Sequence, residues 1–118
     1  MSTANKRKGS KWETDLVQYF RTKGKKATRL ARTGRNDEGD IELDTGTEVY
    51  VVEAKNAQRL DLSGWIQEAK TEAANWCKHR EYGTTDWATP VVIVKRRNSS
   101  TSKAYVVMEL EDWLKIAS

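Results

Sequence analysis

One stretch, Gly39 to Lys55 (GDIELDTGTEVYVVEAK), constrains the fold of this chain more than any other. Ile41 and Leu43 alternate with Asp40, Glu42 and Asp44, so one face is apolar and the other acidic. Thr45-Gly46-Thr47 is a turn signal, and Val49 to Val52 is β-branched and aromatic. The stretch therefore reads as a β-hairpin. In its second strand Val49, Val51, Glu53 and Lys55 share one face, because side chains alternate with period two. Hairpin pairing can bring Asp40 beside Glu53 and Lys55. Two carboxylates and an ammonium there would form a hard-cation site with a lysine next to the bound water.

The flanking segments supply a frame. Ser10-Lys11-Trp12-Glu13 fits a capping box, and Trp12, Leu16 and Phe20 follow at i, i+4 and i+8 with Val17 alongside. A helix is predicted from Ser10 to the stop signal at Gly24, behind a mobile basic arm over residues 1–9. Residues 10–118 read as one domain. Ala27 to Arg32 is a predicted strand, and Thr33 to Glu38 a polar loop containing Gly34. After the hairpin, Leu62, Ile66, Ala69, Ala73 and Trp76 mark the core face of a helix over Leu62–His79, whose first turn Gly64 weakens. Val91 to Val94 lacks alternation and predicts a strand buried on both faces, led in by Pro90. Lys95-Arg96-Arg97 leaves it as a basic cluster. A strand over Lys103–Met108 and a helix over Leu110–Ile116, using Leu110, Trp113 and Leu114, complete the chain. The order α-β-β-β-α-β-β-α predicts an α/β fold, a mixed central sheet flanked by helices. Trp12, Trp76 and Trp113 fit helix stripes, whereas Trp65 and Trp87 suit a core edge or a subunit interface.

Charge is unevenly spread. Residues 1–35 hold eleven basic and two acidic residues, a surplus of nine positive charges. The remainder holds ten basic and fifteen acidic residues, a surplus of five negative charges. The first part suits a phosphate backbone and the second a metal. The single Cys77 excludes an internal disulfide and a multi-cysteine zinc site. The single His79 argues against a Ser-His-Asp triad and histidine-dependent nuclease motifs. With no apolar run to span a bilayer and no h-region, the sequence predicts a cytoplasmic, unsecreted protein whose metal has oxygen ligands.

The pattern Gly39-Asp40, hairpin, Glu53-Ala54-Lys55 resembles the PD-(D/E)xK nuclease superfamily, with Gly39 where the motif usually has proline. Lys8-Gly9, Glu13 and the helix after the motif narrow the likeness to the archaeal-type Holliday junction resolvases, including small phage versions. That resemblance spans roughly Arg7 to Val94 and implies a restriction-endonuclease-like αβββαβ core. It also implies a Mg²⁺-dependent endodeoxyribonuclease, with Mn²⁺ able to substitute, acting on four-way junctions in a prokaryotic or phage-infected cell. Asp40 and Glu53 would be metal ligands with the Ala54 carbonyl, and Lys55 would orient or deprotonate the attacking water. Glu13 would assist at the metal from the first helix; its simpler role is the capping-box carboxylate.

The resolvases carry a serine in the loop near the scissile phosphate, and Thr33 stands at the nearest position. Gln67 lies one position off the second helix's stripe, where related nucleases often carry a polar residue; a solvated glutamine is the plainer role. Lys6, Arg7, Lys8 and Lys11, with Arg29, Arg32 and Arg35 about the loop, are candidate phosphate contacts. A junction has near two-fold symmetry and one chain carries one motif, so a homodimer is expected. Other endonucleases of the superfamily, whether nicking, repair or restriction-type, are the enzymatic alternative. A non-catalytic DNA-binding module is the rival from another class.

Overall fold

The computed structural model describes residues 3–31, 37–84 and 87–117, with side chains from Arg7 onward. The elements are α1 (Thr3–Thr22), β1 (Lys26–Arg29), β2 (Ile41–Asp44), β3 (Val49–Lys55), α2 (Leu62–His79), β4 (Thr89–Val94), β5 (Tyr105–Val107) and α3 (Leu110–Ile116). A short 3₁₀ turn at Thr101–Lys103 precedes β5. The five strands lie in the order β1-β2-β3-β4-β5. All neighbours are antiparallel except β3 and β4, which are parallel and joined through α2.

The predicted hairpin forms in register, with Ile41 opposite Val52 and Asp44 opposite Val49. Its period-two alternation splits the sheet's work. Val52 joins Trp12, Leu16, Val17, Ile41, Val91 and Ile93 beneath α1. Val51 joins Ala73, Trp76 and Cys77 beneath α2. Trp12 is 1% exposed and its indole N–H donates to the Ile93 carbonyl at 3.3 Å. All of Val91 to Val94 is buried, as expected for a strand covered on both sides.

Several boundaries differ from the sequence expectation. α1 begins at Thr3, so the segment read as an arm over 1–9 is helical from its third residue. Ser10 lies inside this helix, with its carbonyl accepting from Thr14 Oγ1. The helix formers Ala4, Lys6, Arg7 and Lys8 extend it past the cap signal, outweighing Asn5 and Gly9. β1 ends at Arg29 and residues 32–36, most of the predicted loop, lie outside the described residues. Leu30 instead packs on the Val51–Trp76 cluster. β5 is three residues long because Thr101–Lys103 coils into the 3₁₀ turn.

α3 forms where expected, but its stripe faces outward: Leu110 is 68% exposed and Trp113 50%. α2 already covers that face of the sheet, and an ion pair from Lys70 to Glu109 (3.1 Å) lies at the start of α3. Gly64, a weakness in the sequence, leaves room for the cap of α2. A Cβ there would sit 2.3 Å from Asp61 Oδ2, the carboxylate that caps α2 through Gly64 N.

Candidate active site

The site is built where β2 begins and β3 ends. Hydrogen bonds tie Asp40 to the segments on either side of it. Its N–H donates to Val52 O (3.0 Å), its carbonyl accepts from Leu30 N (2.9 Å), and its Oδ2 accepts from Ala54 N (2.9 Å). The last bond draws the carboxylate across to the Glu53-Ala54-Lys55 segment. Gly39 makes the approach possible. Its φ is +101°, and a Cβ would lie 2.8 Å from Val51 Cγ1. Behind it, Asn75 donates to the Asp37 carbonyl at 3.0 Å, and Arg80 pairs with Glu38 at 3.1 Å. These contacts tie the lead-in to α2.

Glu53 is 5% exposed and faces α2. Lys55 Nζ lies 3.7 Å from Glu53 Oε2 and donates to both oxygens of Glu68, at 3.0 and 3.2 Å. It also sits 5.9 Å over the ring of Trp65. The carboxylate oxygens of Glu53, Glu68 and Glu72 all lie within 4.8 Å of one another. Burial pushes the Glu53 carboxyl up to about 12, helped by its hydrogen bonds to Asp40 and Glu68 and by the charges of Asp40 and Glu72. Burial likewise lifts Glu72 to about 7, with Glu68 and Asp40 adding to the rise while a bond to Glu53 and the charge of Lys55 oppose it. Burial acts to lower the Lys55 pKa, but the bond to Glu68 and the charges of Glu53, Glu68 and Asp40 outweigh it and hold the ammonium above its ordinary value.

The geometry thus joins Asp40, Glu53, Ala54 and Lys55, as the spacing predicted. Glu13, 8% exposed, is carried on α1 and accepts from Arg29 at 2.9 Å. Arg29 also donates to Thr14 Oγ1 (3.0 Å) and Ser10 Oγ (3.3 Å). Gln67 is exposed on α2, while its neighbour Glu68 takes the place beside Lys55. Arg7, Lys8 and Lys11 lie on the exposed side of α1, Lys11 paired with Asp15 at 2.9 Å. Arg32, Thr33, Arg35 and the side chain of Lys6 lie outside the described residues.

Sequence reasoning missed two groups. Glu68 and Glu72 border the Ala69–Ala73 stripe at a spacing of four, which was the available signal. The second is a grouping: Lys8 and, from the later basic cluster, Lys95 and Arg97, noted separately in the sequence, line one cavity of about 230 Å³ with Asn56 and Gln58. It adjoins the site, since Lys95 N donates to the Lys55 carbonyl at 2.9 Å.

The carboxylates fit a hard divalent cation. Glu72 Oε1 is a buried oxygen with no hydrogen-bond partner. Such an orphan costs about 1–3 kcal/mol, which a bound cation would offset. The donors in the cluster are carboxylate oxygens, with neither sulfur nor imidazole, which suits Mg²⁺ or Mn²⁺.

The αβββαβ order around a mixed sheet, with Asp40, Glu53 and Lys55 at adjacent strand ends, is a restriction-endonuclease-like α/β fold. Among solved structures, the chain is similar in fold to Hjc of Archaeoglobus fulgidus, a Holliday junction resolvase from an archaeal hyperthermophile. The TM-score is 0.55 at 18% identity, covering 93% of this chain and all of that one. No family model and no curated protein matches the sequence. No helix among the described residues is long and apolar enough to cross a membrane.

Proposed function

We propose that this chain is a metal-dependent endonuclease that hydrolyses phosphodiester bonds in branched DNA, as a Holliday junction resolvase does. The observation that carries the reading is the junction of Asp40, Glu53 and Lys55 through the Asp40–Ala54 bond, on a fold shared with a resolvase. Asp40 and Glu53, with the Ala54 carbonyl, would hold Mg²⁺ or Mn²⁺; Glu13 would assist from α1. The cation would neutralise phosphate charge and lower the pKa of a coordinated water. Lys55 holds a proton firmly and stands beside Glu53, so it orients the attacking water and donates to the phosphate. Glu68 fixes the lysine's direction through its paired contacts. The test is incubation with Mg²⁺ and labelled junction, fork and linear duplex side by side. Preferential cleavage of the junction is expected. Equal cleavage of all three would favour a nicking, repair or restriction-type endonuclease, and binding without cleavage a non-catalytic module.

DNA contacts follow the basic residues. Lys8, Lys95 and Arg97 line one cavity beside the site, and Arg29 stands on the α1 side with 43% of its side chain exposed. Lys6, Arg7, Lys11, Arg32, Thr33, Arg35 and Gln67 complete the proposed surface. Phosphate contacts release counterions, so log affinity should fall linearly with log salt. Changing Lys8 and Arg97 together to alanine is expected to lower that slope by about 1–2, read by fluorescence anisotropy across a salt series. An unchanged slope would assign binding elsewhere.

The reading also calls for two active sites on one junction, hence a homodimer. Tyr105 and Val106 of β5 and Leu110, Trp113 and Leu114 of α3 are exposed and apolar, which suits such an interface. Sedimentation equilibrium reads the assembly, and a strict monomer, free and on DNA, would turn the reading toward a single-nick enzyme. The cellular setting that goes with this function is the cytoplasm of a prokaryote or phage-infected host.

A further inference from the structure

The loop that leaves β3 and enters α2 turns leucines to solvent: Leu60 is 67% exposed and Leu62 44%. Between them Asp61 caps α2. Its Oδ1 accepts from Gly64 N at 3.1 Å and its carbonyl from Trp65 N at 2.9 Å. The cap holds both leucines on fixed backbone and spends the carboxylate between them on the positive end of the helix. Leu60 and Trp65 stand at the N′ and N4 positions of a hydrophobic staple, the ordinary use of an apolar residue here. With two-thirds of its surface open, Leu60 is not accounted for by a staple.

The surroundings of the leucines point to what covers them. The Trp65 ring lies 5.9 Å from Nζ of Lys55, the lysine of the candidate active site. Asn56 and Gln58, on the same loop, line the cavity that holds Lys8, Lys95 and Arg97. One short loop thus carries the leucines beside the groups that would meet the scissile phosphate and its flanking backbone. A protein docked on Leu60 would crowd Lys55 and keep DNA from it, so the occupant that fits is the DNA itself. An intact duplex keeps its base faces stacked and presents sugars and phosphates. Apolar base faces open only where stacking is interrupted, as at a branch point.

We propose that Leu60 and Leu62 form an apolar wedge that rests against the base pair exposed at the branch point, beside the phosphate to be cut. Such a wedge selects DNA whose stacking is already broken, because an intact step must first be pried apart to receive it. This deepens the nuclease reading and rests on it for the cleavage step only; the wedge itself needs only DNA binding.

The test places 2-aminopurine, whose fluorescence responds to stacking, at the branch point of a four-way junction and, as a control, within one arm. The full chain saturates the DNA in EDTA, so that no strand is cut, with saturation read by anisotropy. The wild type is expected to change the branch-point signal and leave the arm signal alone. Leu60→Ser with Leu62→Ser should still bind through the basic residues, with the branch-point signal staying at the level of free junction. In Mg²⁺ its preference for cutting junction over linear duplex should fall at least about tenfold, the scale of lost apolar contact. Leu60→Met, which stays apolar, should keep both properties. If the double variant melts well below the wild type, Leu60→Ala alone carries the same comparison. A double variant that changes the signal as the wild type does, or a saturating wild type that changes nothing, would overturn the wedge; junction cleavage by the wild type would then leave the nuclease reading standing. Loss of self-association in the double variant, with the wild-type signal retained, would assign the leucines to a second copy of the chain instead. A wild type that changes the signal but cuts no DNA would keep the wedge and overturn the nuclease reading. No binding to junction DNA would overturn both.

Discussion

Asp40→Asn is expected to cut nuclease turnover at least about a hundredfold, the scale of removing one group that stabilises transition-state charge. The fold should survive. Asparagine keeps an oxygen for the Ala54 N–H, so the bond that joins β2 to β3 remains. Glu53→Gln should behave alike and melt no lower than the wild type, because the carboxyl it replaces is buried among acids. Lys55→Ala should also lose activity, by about 10²–10³, the scale of removing one donor to the developing charge. Cleavage of a labelled junction beside thermal melting separates loss of chemistry from loss of fold. Wild-type turnover by Asp40→Asn would remove this site from consideration. Glu13→Gln belongs to the same series. Glutamine can still accept from Arg29, so unchanged activity would leave Glu13 as a structural partner alone.

The second large effect is expected at Gly39. Alanine there must adopt a left-handed φ of +101° and meets Val51 Cγ1 at 2.8 Å. The cost should be about 1–3 kcal/mol of stability, with activity falling further because Asp40 moves with its neighbour. Proline should be worse, since its ring holds φ near −65°. This backbone requirement suits glycine, and not proline, at the position before Asp40. Denaturant melts of Gly39→Ala and Gly39→Pro, with junction cleavage, check it. A melt matching the wild type in either variant would mean that the turn re-forms without glycine.

The hairpin was legible because its signals are local: alternation, a turn and a β-branched strand all agree across Gly39–Lys55. Strand periodicity put Glu53 and Lys55 on one face and hairpin pairing brought Asp40 beside them, while the roles proposed for the three came from the family resemblance. Glu68 and Glu72 were hidden, since an exposed acid and a site acid look the same until α2 is laid over β3. Only their position beside Ala69 and Ala73 hinted at it. The start of α1 was misread because Ser10 and Glu13 spell a cap, whereas the structure spends both on Arg29. The stripe of α3 was read correctly as amphipathic, but periodicity does not say whether a stripe faces its own core or another surface.

The division of β3 into two faces has a consequence for quality control. Val52 packs beneath Trp12, and Glu53, the next residue, stands among acids beneath α2. A slip of one residue in the hairpin would drive Glu53 into the Trp12–Leu16 cluster and turn the valines toward the carboxylates. Such a chain would carry a buried charge and an open core, and would be cleared as unfolded protein. The strand therefore proofreads itself: a sheet stable enough to persist is one whose acids and lysine are already in place.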